Sequence, residues 1–332
     1  MEPRIRERFN QDILAEAALR YGVGLSDVHQ LSSAESFIYE FKQDGRPLIL
    51  RIGHSLRRSV NLIRGEVDWI NFLARGGASV AKAVFSEQEE LVELIDDNEG
   101  GYFLATAFVK AAGRPPTADD ETPAFIERYG ETIGRMHRLT KGYEPADNAW
   151  RRPQWDDEIT QDLLDFLPPS EAIARHKLEE LISSLRLLPQ DQESYGLVHQ
   201  DAHGGNYFVD ELGRLTFFDF DDCVYTWFAN DFAIVLFYAV TGKEDASAYA
   251  HYFLPHFLRG YQRENRFDCS WFAHMPSFLK LRELDLYALI HRSFDVNNLT
   301  DPWAARYMAG RKERIEQDRP YIDLDFASLR WE

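Results

Sequence analysis

The stretch LVHQDAHGGNYFVDELGRLTFFDFDDC, from Leu197 to Cys223, constrains this chain more than any other. It reads as two short apolar strands, Tyr207–Val209 and Leu215–Phe218, joined by a turn at Asp210–Glu211–Leu212–Gly213. A hairpin sets the ends of its strands side by side. The loop His199–Asn206 is therefore expected to meet the segment Asp219–Asp222, with Asp201, Asn206 and Asp219 converging from two loops. Three oxygen-bearing side chains suit two chemistries, the holding of a hard cation such as Mg2+ and the orienting of a hydroxyl nucleophile by a base. A competing reading takes His199, Asp201 and His203 as ligands of a transition metal. It leaves Asn206 and Asp219 without work, and no third His lies nearby. Asp221 and Asp222 read as a solvated turn or local caps, the common fate of paired acids after a strand.

A base Asp, then an Asn on the same loop, then a second Asp one hairpin later is the order used in phosphoryl transfer. HQDAHGGN followed by FFDFDD resembles the aminoglycoside phosphotransferase and choline kinase-like family. That family's loop reads roughly H-G-D-x-H-x-x-N, and its metal strand ends in a hydrophobic-Asp pair. Gln200 stands here where Gly is usual. The resemblance implies an α+β, bilobal protein kinase-like fold. Its small antiparallel-sheet N-lobe would span residues 1–108, and a mostly helical C-lobe residues 109–332. It implies ATP as donor, Mg2+ as cofactor and a hydroxyl of a small molecule as acceptor. Asp201 would be the base, Asn206 and Asp219 the metal ligands, and His199 a brace of the loop. Asp231, in WFANDFAIVLFYAV, would tie down the loop's backbone, although an ordinary helix N-cap looks the same in sequence.

Before the hairpin, Val28–Ser33, Ser36–Lys42 and Pro47–Ile52 read as strands, the last two joined by a turn at Asp44–Gly45. In the resembled family the first link folds over the nucleotide phosphates. Here it runs Ser32–Ser33–Ala34–Glu35–Ser36 without a glycine, so Ser33 and the backbone amides are the expected phosphate ligands. In LILRIG, Arg51 is a lone charge on an apolar strand, which needs a partner if buried. The resemblance implies that Arg51 touches the phosphates and that Glu66, on a helix over Ser59–Arg75, holds it. Further strands are expected at Val84–Ser86, Leu91–Ile95 and Gly101–Phe108. The Gly/Pro-marked run VKAAGRPP then separates the lobes. By resemblance, the backbone of Ala107–Val109 meets adenine.

The rest reads as helices. Phe125–Arg138 carries His137 as a core histidine, and Ala246–Arg263, Phe272–Val296 and Ala304–Gln317 follow. On Phe272–Val296, Glu283, Tyr287 and His291 recur at every fourth position, a line that faces either the acceptor or a buried hydrogen-bonded stripe. An amphipathic N-terminal helix is expected over Ile5–Tyr21. The N-terminus lacks an apolar leader, the longest apolar run is too short to span a membrane, and two cysteines suit a reducing cytoplasm. A net charge of −18 disfavours nucleic acid and anionic membranes as partners. It also requires the nucleotide site to gather local positive charge or Mg2+. Two alternatives share these residues: a protein Ser/Thr kinase of the same fold, and a nucleotide-binding pseudokinase suggested by the glycine-free link. ATP or GTP preference, the acceptor's identity and the oligomeric state leave no trace in the sequence.

Overall fold

The computed structural model describes residues 2–32, 35–157, 163–326 and 329. The chain divides into two compact units. One comprises Met1–Pro116, Gly142–Arg152 and Asn206–Asp221, and the other Thr117–Lys141, Pro153–Gly205 and Asp222–Glu332. The sequence had assigned the whole hairpin to the second lobe. Residues 206–221 instead join the first unit, because Phe217 N donates to Ser79 O, Ala81 N to Phe217 O, and Val209 exchanges backbone bonds with Arg114.

The first unit is built on an antiparallel sheet of β1 (His29–Ser32), β2 (Phe37–Gln43), β3 (Arg46–His54), β4 (Ala83–Val84), β5 (Glu93–Asp96) and β6 (Tyr102–Val109). They lie in the order β1-β2-β3-β6-β4, with β5 also paired to β6. Period-two alternation puts Phe37, Tyr39 and Phe41, Leu48, Leu50 and Ile52, and Phe103, Ala105 and Ala107 into one core. Ile13, Leu14 and Ala17 of an N-terminal helix close that core. The opposite face meets Ile63 and Val67 of α3 (Val60–Arg75), which Ser59 caps.

Two helices replace the one expected over Ile5–Tyr21: α1 (Pro3–Arg8) and α2 (Gln11–Arg20). Asn10 breaks the run because its Oδ1 accepts from Asp12 N and Ile13 N, starting a new helix. Phe9 leaves the helical path to stack on Phe37, ring centres 3.7 Å apart.

In the second unit, α4 (Pro123–Thr140) packs against the helix Ala246–Tyr261. Glycines allow the backbones to touch: a Cβ on Gly130 would lie 2.0 Å from Phe257 O, and one on Gly260 1.8 Å from Glu127 O. The helix Phe228–Val240 is buried along most of its length. A strand pair unforeseen in the sequence, β7 (Tyr195–Val198) with β10 (Val224–Trp227), leads into it. The helix expected over Phe272–Val296 is Met275–Ser293, preceded by a 3-10 turn at Cys269–His274. Ala304–Gln317 divides into Pro302–Met308 and Arg311–Glu316, since Gly310 adopts the left-handed conformation (φ 65°). Among the described residues, no helix is long and apolar enough to cross a membrane.

Candidate active site

In the first unit, alternation along β3 turns Arg51 away from Leu50 and Ile52, towards α3. There Glu66 receives both ends of its guanidinium, at 2.8 and 2.6 Å. Both residues are buried, and Arg51 also lies over the Phe108 ring, 5.0 Å from its centre. A buried bidentate pair of this kind is fixed in direction as well as charge.

Strands β8 (Tyr207–Val209) and β9 (Leu215–Phe217) form the expected hairpin. Phe218 N donates to Asn206 O at its open end, so Asn206 and Asp219 finish neighbouring strands. Asn206 is buried and Asp219 exposed, the latter in a left-handed conformation (φ 62°). Phe220 anchors the turn edge-on against Trp69, ring centres 5.4 Å apart. An amide and a carboxylate are two hard oxygen donors. Mg2+ suits such a pair, because it keeps waters and phosphate oxygens in its remaining positions.

Asp221 corrects the sequence reading of a solvated turn. It is buried, 2.6 Å from Arg57 Nη1 and 3.3 Å from Arg58 Nε, while Arg152 Nη2 donates to its carbonyl at 2.7 Å. Burial works to raise its carboxyl. Arg58, Arg57, Arg51 and Arg152 outweigh burial and hold it well below the usual carboxylate range. Arg57 also pairs with Glu35. These arginines gather positive charge around Asp221, two residues along from Asp219, on a chain whose balance is −18. Sequence reasoning missed all of them but Arg51. Their one signal was the dipeptide Arg57–Arg58, directly after the strand that carries Arg51.

Two nucleotide-site expectations fare differently. Ser33 lies outside the described residues. Ala107 and Val109 lie within β6, and Val109 N donates to Lys82 O at 2.9 Å, so that N–H is committed to the sheet and not on offer to adenine.

In the second unit, Asp201 accepts from Arg282 Nη2 on Oδ1 at 2.5 Å and faces His203 Nε2 from Oδ2 at 3.2 Å. Burial pushes its carboxyl up. Arg282, His203 and His199 outweigh that and hold it well below the usual range. Its loop is braced from several sides. His199 is buried, and its Nδ1 faces Asp201 N at 3.4 Å. Tyr129 OH donates to Ala202 O. Gln200, left-handed at φ 69°, donates its N–H to Asp231 Oδ1 at 2.9 Å and accepts from Asn230 Nδ2 at 3.1 Å.

Asp231 is not the helix cap, which falls at Trp227. Its Oδ2 meets His137 Nε2 at 3.0 Å, and His137 Nδ1 meets Tyr261 OH at 2.9 Å. A carboxylate only accepts, so Nε2 carries the proton and Tyr261 donates to Nδ1. His137 is thus a satisfied core residue that links the loop's anchor to the interior.

The line Glu283, Tyr287 and His291 is largely internal. Glu283 is fully buried between Lys280 Nζ at 2.7 Å and Arg311 Nη1 at 2.5 Å. Tyr287 OH donates to Glu171 Oε2 at 2.9 Å, and the His291 ring sits edge-on to Tyr287. From the same helix it is the neighbouring Arg282 that reaches Asp201.

A kinase-like sheet, a helix-held Arg on β3 and a braced Asp–Asn–hairpin–Asp order define a phosphotransferase. Residues 27–267 match the model of the phosphotransferase enzyme family, APH, and the chain belongs to that family. A curated relative, an amicoumacin kinase of Bacillus subtilis (strain 168), is 38% identical over 330 residues, 98% of each chain. A solved amicoumacin kinase, in complex with AMP-PNP, Ca2+ and Ami, superposes with a TM-score of 0.94 at 36% identity, over 99% of this chain and 100% of that one. A microcompartment-associated aminopropanol kinase shares the fold, with a TM-score of 0.74 at 21% identity over 93% and 97% of the two chains.

Proposed function

We propose that this chain is an ATP-dependent kinase whose acceptor is a hydroxyl of amicoumacin or a close analogue, and that it works in the cytoplasm. The phosphotransferase class follows from the family; the acceptor rests on the relative at 38% identity over nearly the whole of both chains. Asp201 orients the acceptor hydroxyl and takes its proton. Asn206 and Asp219 would hold Mg2+, which would supply positive charge against the charge that develops on the phosphates. Arg51, directed by Glu66, steadies the donor's phosphates, and Arg57 and Arg58 add positive charge beside them. His199 and Asp231 position the loop.

The observation that carries this reading is the Asp201 carboxylate, donated to on one oxygen by Arg282 and facing His203 from the other, on a loop anchored through Asp231. Such a carboxylate is a weak base. A loose phosphoryl-transfer transition state asks little more, since the hydroxyl's proton leaves late and positioning matters most.

The test incubates the protein with ATP, Mg2+ and, separately, amicoumacin, aminopropanol, choline, an aminoglycoside and a serine peptide, with products read by mass spectrometry. Phosphorylated amicoumacin is the expected product, with Asp201→Asn lowering kcat by roughly 10²–10⁴-fold. Preferential labelling of the peptide would support a protein kinase instead. Turnover in Asp201→Asn equal to wild type would remove the assigned base.

A further inference from the structure

We infer that Arg282 is a positioning residue for the transfer reaction, fixing the direction of the Asp201 carboxylate and preserving its charge, an inference that rests on the reading of Asp201 as base. Arg282 sits on the helix Met275–Ser293 and is almost fully buried. A guanidinium in that position needs partners, and it has three. Nη2 lies 2.5 Å from Asp201 Oδ1 and 2.6 Å from Tyr238 OH, and Nη1 lies 2.6 Å from Asp285 Oδ2. The Tyr238 ring covers its face at 5.3 Å. Its Nε is buried with no hydrogen-bond partner among the described residues.

A purely structural role would be complete with Asp285, one turn away on the same helix. Here the fork is shared with a carboxylate 81 residues distant in sequence, at the cost of an orphaned Nε. Asp285 and Tyr238 set the guanidinium's angle, and the guanidinium sets Asp201's. His203 completes the arrangement. Its Nδ1 accepts from Gly205 N at 2.9 Å, which leaves the proton on Nε2, 3.2 Å from Asp201 Oδ2. Each Asp201 oxygen thus has a donor in place, Arg282 on Oδ1 and His203 on Oδ2. Because arginine does not deprotonate, the carboxylate keeps its charge across the working pH range.

Removing Arg282 leaves burial as the dominant influence on Asp201, so its proton affinity rises. The groups facing the Asp201–Arg282–Asp285 set are His199 and His203 from the loop, Tyr238 from the helix Phe228–Val240, and Arg292 near Asp285. None of them replaces a guanidinium on Oδ1.

The experiment compares full-length wild type, Arg282→Lys, Asp285→Asn and the double variant Arg282→Gln/Asp285→Asn, in which Asp285 is not left as a second stranded carboxylate. The Asp201 carboxyl is followed by carbon-13 NMR of aspartate-labelled protein, assigned by its absence in Asp201→Asn, without nucleotide or acceptor. In parallel, kcat/KM for ATP and amicoumacin is measured against pH. In wild type and Asp285→Asn the carboxyl should stay ionised to about pH 4. In the double variant its midpoint should rise by about one pH unit or more, the acid limb of kcat/KM should move up with it, and Arg282→Lys should restore part of both. An Asp201 titration unchanged in a folded double variant, checked by circular dichroism, overturns the inference. Absence of turnover in wild type would overturn the acceptor reading instead, and the carboxyl titration decides Arg282's role either way.

Discussion

At the scale of single residues, Gln200 shows how this chain departs from its family's loop without losing the loop's shape. The family usually carries Gly at this position, and the structure explains why: φ is 69°. A non-glycine residue there costs about 1–2 kcal/mol. The Asn230 amide offsets this strain by donating to Gln200 Oε1. Asn230→Ala should therefore lower stability by about 1 kcal/mol in urea unfolding. Adding Gln200→Gly to that variant should recover part of the loss, whereas Gln200→Gly alone loses the same hydrogen bond and gains little. Equal destabilisation by Gln200→Gly in both backgrounds would show that no strain is stored. Glu66 is a sterner case. Glu66→Gln takes the charged bidentate partner from the buried Arg51, at a cost of about 3–5 kcal/mol. The expected result is a lower melting temperature together with a raised KM for ATP. A stability loss with KM unchanged would take Arg51 away from the phosphates.

At the scale of elements, legibility tracked sequence distance. The hairpin of β8 and β9 could be read because alternation, turn and flanking acids all lie within one stretch. Arg51 and Glu66 were readable because a lone charge on an apolar strand demands a partner, and a helix 15 residues on supplies one. What escaped were pairings with no local trace. Arg282 reaches Asp201 across 81 residues, and Arg58 reaches Asp221 across 163, so Asp221 looked like a solvated acid. The pair β7–β10 also escaped, because its four-residue strands run directly into the loop that carries Asp201 and into a long helix. Helix crossings are equally silent. Gly130 looks unremarkable in sequence, yet a Cβ there would meet Phe257 O at 2.0 Å. Gly130→Ala must separate α4 from Ala246–Tyr261 and should cost about 1–3 kcal/mol. Glycine-to-alanine in a helix otherwise stabilises, so an increased melting temperature would show that the crossing is looser than described.

At the scale of the whole molecule, an excess of acid fixes how stability depends on pH. Several carboxylates are held below their ordinary range. Asp97 is raised by burial but lowered further by the N–H groups of Glu99 and Gly101 and by Arg8 and His54. Glu127 is lowered chiefly by Arg259 and Arg263, and Glu264 by Arg135 and Arg138. Asp201 and Asp221 behave as Asp97 does, with arginine as the opposing charge. A carboxyl lowered in the folded state binds its proton more readily when unfolded. Its stabilisation is therefore complete above the unfolded value, near pH 4, and is lost as pH falls below it. Each such group steepens the acid limb by up to about 1.4 kcal/mol per pH unit. Tyrosines set the other limb. Tyr21, Tyr238, Tyr261 and Tyr307 are pushed well above the usual phenol range, with burial the largest cause. Their stabilisation holds below pH ~10 and is lost as pH rises through the raised values. Melting temperature against pH should thus show a plateau between about pH 5 and 9, a steep acid limb and a separate alkaline fall. Asp97→Asn isolates one contributor: it should lower the plateau and make the fall between about pH 5 and 3 shallower. An acid limb of unchanged slope in Asp97→Asn would mean that this carboxyl is as easily protonated folded as unfolded, and that the links from Arg8 and His54 to it are not formed in solution.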